Sequence, residues 1–460
     1  MARLFRLLCL GPLLWPLALP AQNNSEIATI LGRLDKLERE NQALAAEVRQ
    51  LRAELAASRG APTSAAQTGD GAEARQTTNN DGLPHVAEEL DVQEKRVEEL
   101  AQTKVEASEH FPIRLTGTAL FNSFLDSKQN GSADYPNVAA PTGPGHAGAT
   151  LRQTTLGLEF RGPTTVWGGS VHGYVFMDFF TGTTVFNQYL RLRTGAIRID
   201  WKSRSIMVGV EKPIFNPREP ASLAQVGFSP LTGAGNLWLW IPQVRFEQDF
   251  AFGHSDGLRA RLGVVETHET PPYQTTSTTG VEGARPGFEG RFEYFHKFDD
   301  ERRAEFAAGF HTSTTHALGF SIPSNLYSLD GFVNPSRRVE FTGVFYSGRN
   351  LANLGTGPIN QGYGIYAGMA SAVPNRGGWG QITIHTSKRI DFHVFTGEQT
   401  YPASRLEPGQ IDRNLMYGVN LFYRLAPNVI LAPELSQLRT TYLGPIRINN
   451  HYDLALAYFF

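Results

Sequence analysis

Cysteine is almost missing: Cys9 is the only one in 460 residues. If Cys9 lies in a cleaved leader, the mature chain has no thiol. That excludes disulfides, Cys-ligated zinc, iron–sulfur clusters and cysteine nucleophiles together. Net charge is also scarce: 42 basic residues nearly balance 44 acidic ones, leaving −2, which excludes a strongly basic nucleic-acid binder. After residue 21 no apolar run is long enough for a transmembrane helix. Catalytic motifs are missing as well, with no HExxH, Walker A loop, GxSxG, CxxC or EF-hand loop. Gly355-Thr-Gly357 followed by Gly362 misses the dinucleotide spacing. The 12 histidines are scattered, and His268, His311 and His316 read as solvated loop or strand-end groups, not ligands. The residues therefore point to no enzyme, no metal and no cofactor.

What is present is glycine (46), phenylalanine (29) and tyrosine (15), the composition of an all-β export product. Residues 1–21 read as a secretory signal peptide: Arg3 and Arg6 precede an apolar run, and Ala18 and Ala21 are small residues suited to cleavage. Pro12 and Pro16 break the run, which argues against a membrane anchor. An exported chain without further apolar helices is either soluble in the periplasm or a β-barrel in the outer membrane.

From Ile27 a seven-residue repeat sets in. Ile27, Leu34, Asn41, Val48 and Leu55 share one position, and Ile30, Leu37, Leu44 and Leu51 fall three residues later. Charged residues fill the intervals, so residues 25–57 are predicted to form a coiled coil with Asn41 as a buried polar position. Residues 58–83 hold hardly any apolar bulk and read as a flexible linker. A second helical segment is predicted over 84–110, with Val86, Leu90, Val97 and Leu100 on one face. Residues 1–111 carry 12 basic and 17 acidic side chains, so the acidic excess belongs to this stalk and the rest is near neutral.

Over 111–460 the hydrophobic period becomes two. About 16 amphipathic segments follow one another, beginning at 113–122, 151–161 and 170–180 and ending at 414–424, 429–438 and 450–460. The pattern leaves open whether the strands number 16 or 18. A soluble sandwich would bury the apolar faces, and a membrane barrel would turn them to lipid. Connections alternate between short (160–170, 201–205, 297–302, 387–391, 424–428) and long (131–150, 216–239, 267–286, 350–375), as at the two rims of a barrel. The chain ends with Tyr452, Leu454, Leu456, Tyr458 and Phe460 on one continuous apolar face. That ending resembles the sorting signal of bacterial outer-membrane barrels. The fold class expected is thus an all-β transmembrane barrel of about 16 antiparallel strands behind an N-terminal coiled-coil stalk. Its surroundings would be outer-membrane lipid, with the stalk in the periplasm.

Several stretches resemble bacterial outer-membrane porins, in particular the phosphate-selective porins (the O/P families) and the DcaP-like dicarboxylate porins. They are the leader, the stalk reading Leu90-Asp-Val-Gln-Glu-Lys-Arg-Val-Glu-Glu-Leu100, Gly348-Arg-Asn-Leu351, Tyr423-Arg-Leu-Ala-Pro-Asn-Val-Ile430 and Phe460. The resemblance implies a 16-stranded barrel, a trimer, and passive diffusion of small hydrophilic solutes, often anionic. The lysine-rich ladder of phosphate-selective members has no counterpart here. A heptad stripe needs partner helices from other chains; its own preference between two and three is ambiguous, and the family implies a homotrimer. The rival function is a structural tether, the coiled coil contacting the cell wall and the barrel serving as anchor. An outer-membrane hydrolase trails both.

Arginine usage is the informative chemical feature: residues 112–460 hold 25 Arg and 5 Lys. Arg191, Arg193, Arg198, Arg245, Arg259, Arg261 and Arg291 fall on successive strands of the first half. A guanidinium fork pairs with carboxylates in two contacts, so on a lumen wall these side chains would attract anions. Alternatively they pair internally with Asp200, Glu247, Asp249, Glu289 and Glu293. Strand parity shifts around Thr194-Gly195, which leaves open an outward position at a rim for either Arg191 and Arg193 or Arg198. The loops 216–239 and 350–375 are the candidate constrictions.

Overall fold

The computed structural model describes residues 113–460 except 130, 132–133, 182–187, 268–285, 318–319 and 367. The expected leader, coiled coil, linker and second helical segment lie outside the described residues, as does His268.

Among the described residues, nineteen strands follow in chain order. They are β1 Ile113–Asp126, β2 His146–Thr150, β3 Thr155–Val166, β4 Gly169–Thr181, β5 Tyr189–Asp200, β6 Arg204–Glu211 and β7 Ile241–Phe252. Next come β8 Asp256–Val265, β9 Gly287–Lys297, β10 Arg303–Ala317, β11 Phe320–Ser336, β12 Val339–Arg349, β13 Tyr363–Tyr366 and β14 Met369–Ala372. The last are β15 Pro374–Ser387, β16 Ile390–Thr400, β17 Arg413–Ala426, β18 Val429–Thr441 and β19 Ile446–Phe459. β2 and β3 both pair with β1 and form one strand interrupted at 151–154, whereas β13 and β14 make a separate hairpin. β1 closes on β19 from Thr118–Phe459 to Asp126–His451, giving a closed 16-strand antiparallel barrel. Closure pairs every strand edge.

Period two places the side chains. On β19, Tyr452, Leu454, Leu456 and Tyr458 are exposed outward, while His451, Asp453, Ala455 and Ala457 are buried inward. On β9, Phe288, Phe292 and Tyr294 face out, and Glu289, Arg291 and Glu293 face in. The outer wall is thus apolar and the inner wall polar, the reverse of a soluble sandwich. Six short connections, 167–168, 201–203, 253–255, 337–338, 388–389 and 427–428, and the slightly longer 298–302 share one rim with Ile113 and Phe460. The opposite rim carries the long loops. Its exceptions are β10–β11, where only 318–319 intervene, and β18–β19, joined by 442–445.

Candidate functional site

The loop 212–240, between β6 and β7, does not project from the rim. Its residues 229–238 are all buried, and its contacts reach nearly opposite walls. Asn122 of β1 donates to the Leu223 carbonyl at 2.8 Å, and Arg218 reaches Asp330 of β11 at 2.5 Å. Between these, Gln153 donates to the Ala224 carbonyl and accepts from the Val226 and Gly227 amides at 2.7–2.8 Å. Asn420 of β17 donates to the Ala221 carbonyl at 2.8 Å, and Ser222 donates to Glu434 of β18 at 2.5 Å. A segment tied to β1, β11, β17 and β18 at once crosses the interior of the barrel.

Glycine allows the loop to lie against the wall. Gly235 has φ +99, and a Cβ there would sit 2.1 Å from the Gly378 carbonyl oxygen. On the wall itself, a Cβ on Gly397 would sit 2.2 Å from the Ala234 carbonyl oxygen. Leu231 and Ala234 pack there with Trp379, Phe395, Met416 and Leu438.

The second candidate loop lies over the first. Trp238 donates its amide to the Gly355 carbonyl at 3.1 Å, and Leu351 and Leu354 pack with Leu237 and Phe215. The loop also joins the segment after β16: Gln361 exchanges two 2.8 Å hydrogen bonds with the Ile411 backbone. Burial with Ile359, Val373 and Ile411 pushes the Tyr401 phenol well above its ordinary range.

All seven singled-out arginines point inward on β5, β7, β8 and β9, four neighbouring strands apart from β6, which lies between β5 and β7. Arg191 and Arg193 share the fully buried Asp178 at 2.7 and 3.0 Å and donate to the Gly227 and Val226 carbonyls. Trp240 lies under both guanidinium groups, 5.0 and 4.9 Å from its ring centre. Arg198 pairs with Asp200 at 2.5 Å and approaches Glu247 at 3.5 Å, and Arg261 holds Glu247 at 2.5 Å. Arg259 grips Asp249 in two contacts of 2.7 and 3.0 Å and reaches Glu293 at 3.1 Å. Arg291, 1% exposed, holds Glu293 at 2.5 Å and Asp330 at 2.7 and 2.8 Å. Arg245 is different: it makes no ion pair or hydrogen bond among the described residues. Its cross-strand neighbours are Met207 and Gly263, neither of which carries an acceptor side chain.

Three sequence expectations are corrected here. The parity shift in β5 does not turn either arginine set outward. The β4–β5 register jumps between Thr194 and Leu192, a β-bulge that absorbs one residue, so odd positions before it and even positions after it both face in. His311 is not solvated: it is 2% exposed, with Nδ1 2.9 Å from Glu289 and Nε2 2.8 Å from Ser313. His316 is also buried, at 7% exposure. Glu289 therefore serves His311 and the Ile214 amide (2.7 Å), not an arginine.

Sequence reasoning missed Asp178, Arg218, Glu305 and Asp330. Asp178 carried a signal, a lone acid inside the apolar run Val175–Phe180. Arg218, in Asn-Pro-Arg-Glu-Pro, carried none. It also missed the opposite wall, where Asp126 meets His451 at 2.9 Å, Asn122 donates to Asp453 at 3.1 Å, and Asn420 donates to Glu434 at 3.0 Å. The interior is thus lopsided, with paired arginines on one side and amides, hydroxyls and carboxylates on the other.

Among solved structures the chain is similar to the outer membrane channel DcaP of Acinetobacter baumannii, at 18% identity and TM-score 0.61. The match covers 76% of this chain and 97% of that one. It is also similar to the anion-selective porin from Comamonas acidovorans, at 10% identity and TM-score 0.53, over 76% of this chain and 99% of that one. At these identities the likeness concerns the fold. No family model matches the chain, and no curated protein does.

Proposed function

We propose that this chain is an outer-membrane porin that lets small hydrophilic solutes diffuse passively, with a preference for anions such as carboxylates, and that it catalyses no reaction. The observation that carries this reading is loop 212–240 lying across a polar interior beside a wall of arginines. One of these, Arg245, has no carboxylate of its own among the described residues. A loop folded into a barrel narrows it, and fixed guanidinium groups at the narrowing raise the local concentration of anions. Paired arginines are largely neutralised by their acids, so the net attraction rests on Arg245 and on whichever pairs a passing carboxylate can loosen.

The outward apolar belt suits lipid, and the short-turn rim, where Ile113 opens the barrel, suits the periplasmic side. The stalk predicted from sequence would then lie in the periplasm. Its heptad seam would be buried by two further copies, making a homotrimer. The tether function would use the same architecture without a conducting interior. Reversal potentials across planar bilayers in a salt gradient test the ionic preference: an anion-selective sign is expected, and a cation-selective one would remove the role assigned to the arginines.

A further inference from the structure

The short-turn rim carries a basic surface that the pore reading does not use. Turn 337–338 presents Arg337 and Arg338, turn 388–389 presents Lys388 and Arg389, and Arg424 lies on the adjoining strand. These positions are contiguous: His385 donates its amide to the Arg338 carbonyl, and Arg424 donates its amide to the Arg389 carbonyl, both at 2.8 Å. The neighbouring acids are already engaged. Glu301 pairs with Arg337 at 2.7 Å, Glu340 with His385 at 3.3 Å, and Asp391 with His385 at 2.7 Å and Arg424 at 2.6 Å. Arg338, Lys388 and Arg389 are exposed and have no ion pair among the described residues.

Complementary charge lies in the chain itself. Residues 90–111 contain Asp91, Glu94, Glu98, Glu99, Glu106 and Glu109 against Lys95, Arg96 and Lys104. This segment ends just before Ile113, where β1 starts at the same rim. From β1 to turn 388–389 the rim passes β19, β18, β17 and β16. At ~4.8 Å per strand that is ~20–25 Å. Residues 90–111 span ~33 Å even when fully helical, so the reach suffices.

We propose that the acidic segment 90–111 runs back along the short-turn rim and docks its carboxylates on Arg338, Lys388 and Arg389. Each contact is exposed and individually weak, but tethering through β1 keeps the local concentration of the segment high. The stalk would then leave the barrel from a fixed position and not from a free hinge. An acidic strip would also lie beside the mouth of an arginine-lined interior.

Carbodiimide cross-linking of the intact, detergent-purified protein, read by peptide mass spectrometry, tests this directly. Lys388 is the lysine of the patch, and Lys202 in another turn and Lys297 at the end of β9, both on the same rim, report background. Lys388 should link to carboxylates of 90–111 well above Lys202 and Lys297. The R338E/R389E variant keeps Lys388 and should lower the yield about fivefold, as should salt raised to about 0.5 M. Trypsin should then cut after Lys104 sooner than in the parent, with heat-modifiable migration confirming a folded barrel. Equal linking at all three lysines would overturn the proposal, and so would a link that survives the double charge reversal. An anionic phospholipid offers the patch the same chemistry. Lipid retention that depends on Arg338 and Arg389, without any link from Lys388 to 90–111, would also overturn it.

Discussion

Arg218 and Asp330, 112 positions apart in the chain, are joined by a 2.5 Å contact between Nε and Oδ1. Arg291 grips the same carboxylate from the barrel wall at 2.7 and 2.8 Å. Arg218 also reaches Glu305 at 3.0 Å. With Glu293 at 3.5 Å as well, one loop arginine is fastened to β9, β10 and β11, one of several anchors that set the position of the insert.

Replacing Asp330 with Ala should therefore loosen the loop. It takes one shared acceptor from two guanidinium groups, Arg218 keeping Glu305 and Arg291 keeping Glu293, a loss of about 1.5–3 kcal/mol. Heat-modifiable migration on gels should shift to lower temperature, and open-channel current should become noisier. A variant with unchanged migration would show that the loop is held elsewhere.

Arg245 separates charge from stability. Because it makes no hydrogen bond or ion pair among the described residues and only feels the charges of Glu247 and Glu211, Arg245→Ala should change stability by less than about 0.5 kcal/mol. The same change should move the reversal potential toward cation preference. Arg259→Ala releases Asp249 and should lower stability by about 1–3 kcal/mol. If Arg245→Ala leaves the reversal potential where it was, the unpaired arginine does not set ionic preference.

Gly235→Val introduces side-chain bulk where a Cβ would sit 2.1 Å from the Gly378 carbonyl oxygen, in a backbone conformation with φ +99. Overpacking and strain together should cost about 2–4 kcal/mol and lift the loop apex from the wall. Faster proteolysis within 212–240 is the expected readout, and wild-type proteolysis would contradict the tight apposition.

Ser222→Ala removes the hydroxyl that donates to Glu434 at 2.5 Å and accepts the Ala224 amide at 3.0 Å. Glu434 is 1% exposed, so the loss should amount to about 1–3 kcal/mol. Thermal unfolding in detergent should register it.

The barrel was legible because lipid-type and lumen-type faces alternate at period two. Each of the 16 alternating segments falls on a separate staved position of the closed sheet. The strand ends were less legible. β10 runs to Ala317 and β11 starts at Phe320, beyond the alternating stretches, where Thr312, Ser313, Thr314, Ser321 and Ser324 make both faces polar. The parity shift in β5 showed at Thr194-Gly195, but not that a bulge absorbs it and keeps both arginine sets inward, because that depends on the pairing register with β4. The pairing of Arg218 with Asp330 was hidden for another reason: a loop residue carries no periodicity, and its partner is fixed only once the barrel has closed.

Single-channel recording of the purified full-length protein in planar bilayers addresses the central claim most directly. Stepwise, long-lived ion-conducting openings should appear, grouped in threes if the assembly is trimeric. Folded, heat-modifiable barrels that insert yet never conduct would contradict the pore and favour a barrel that serves only to anchor the stalk.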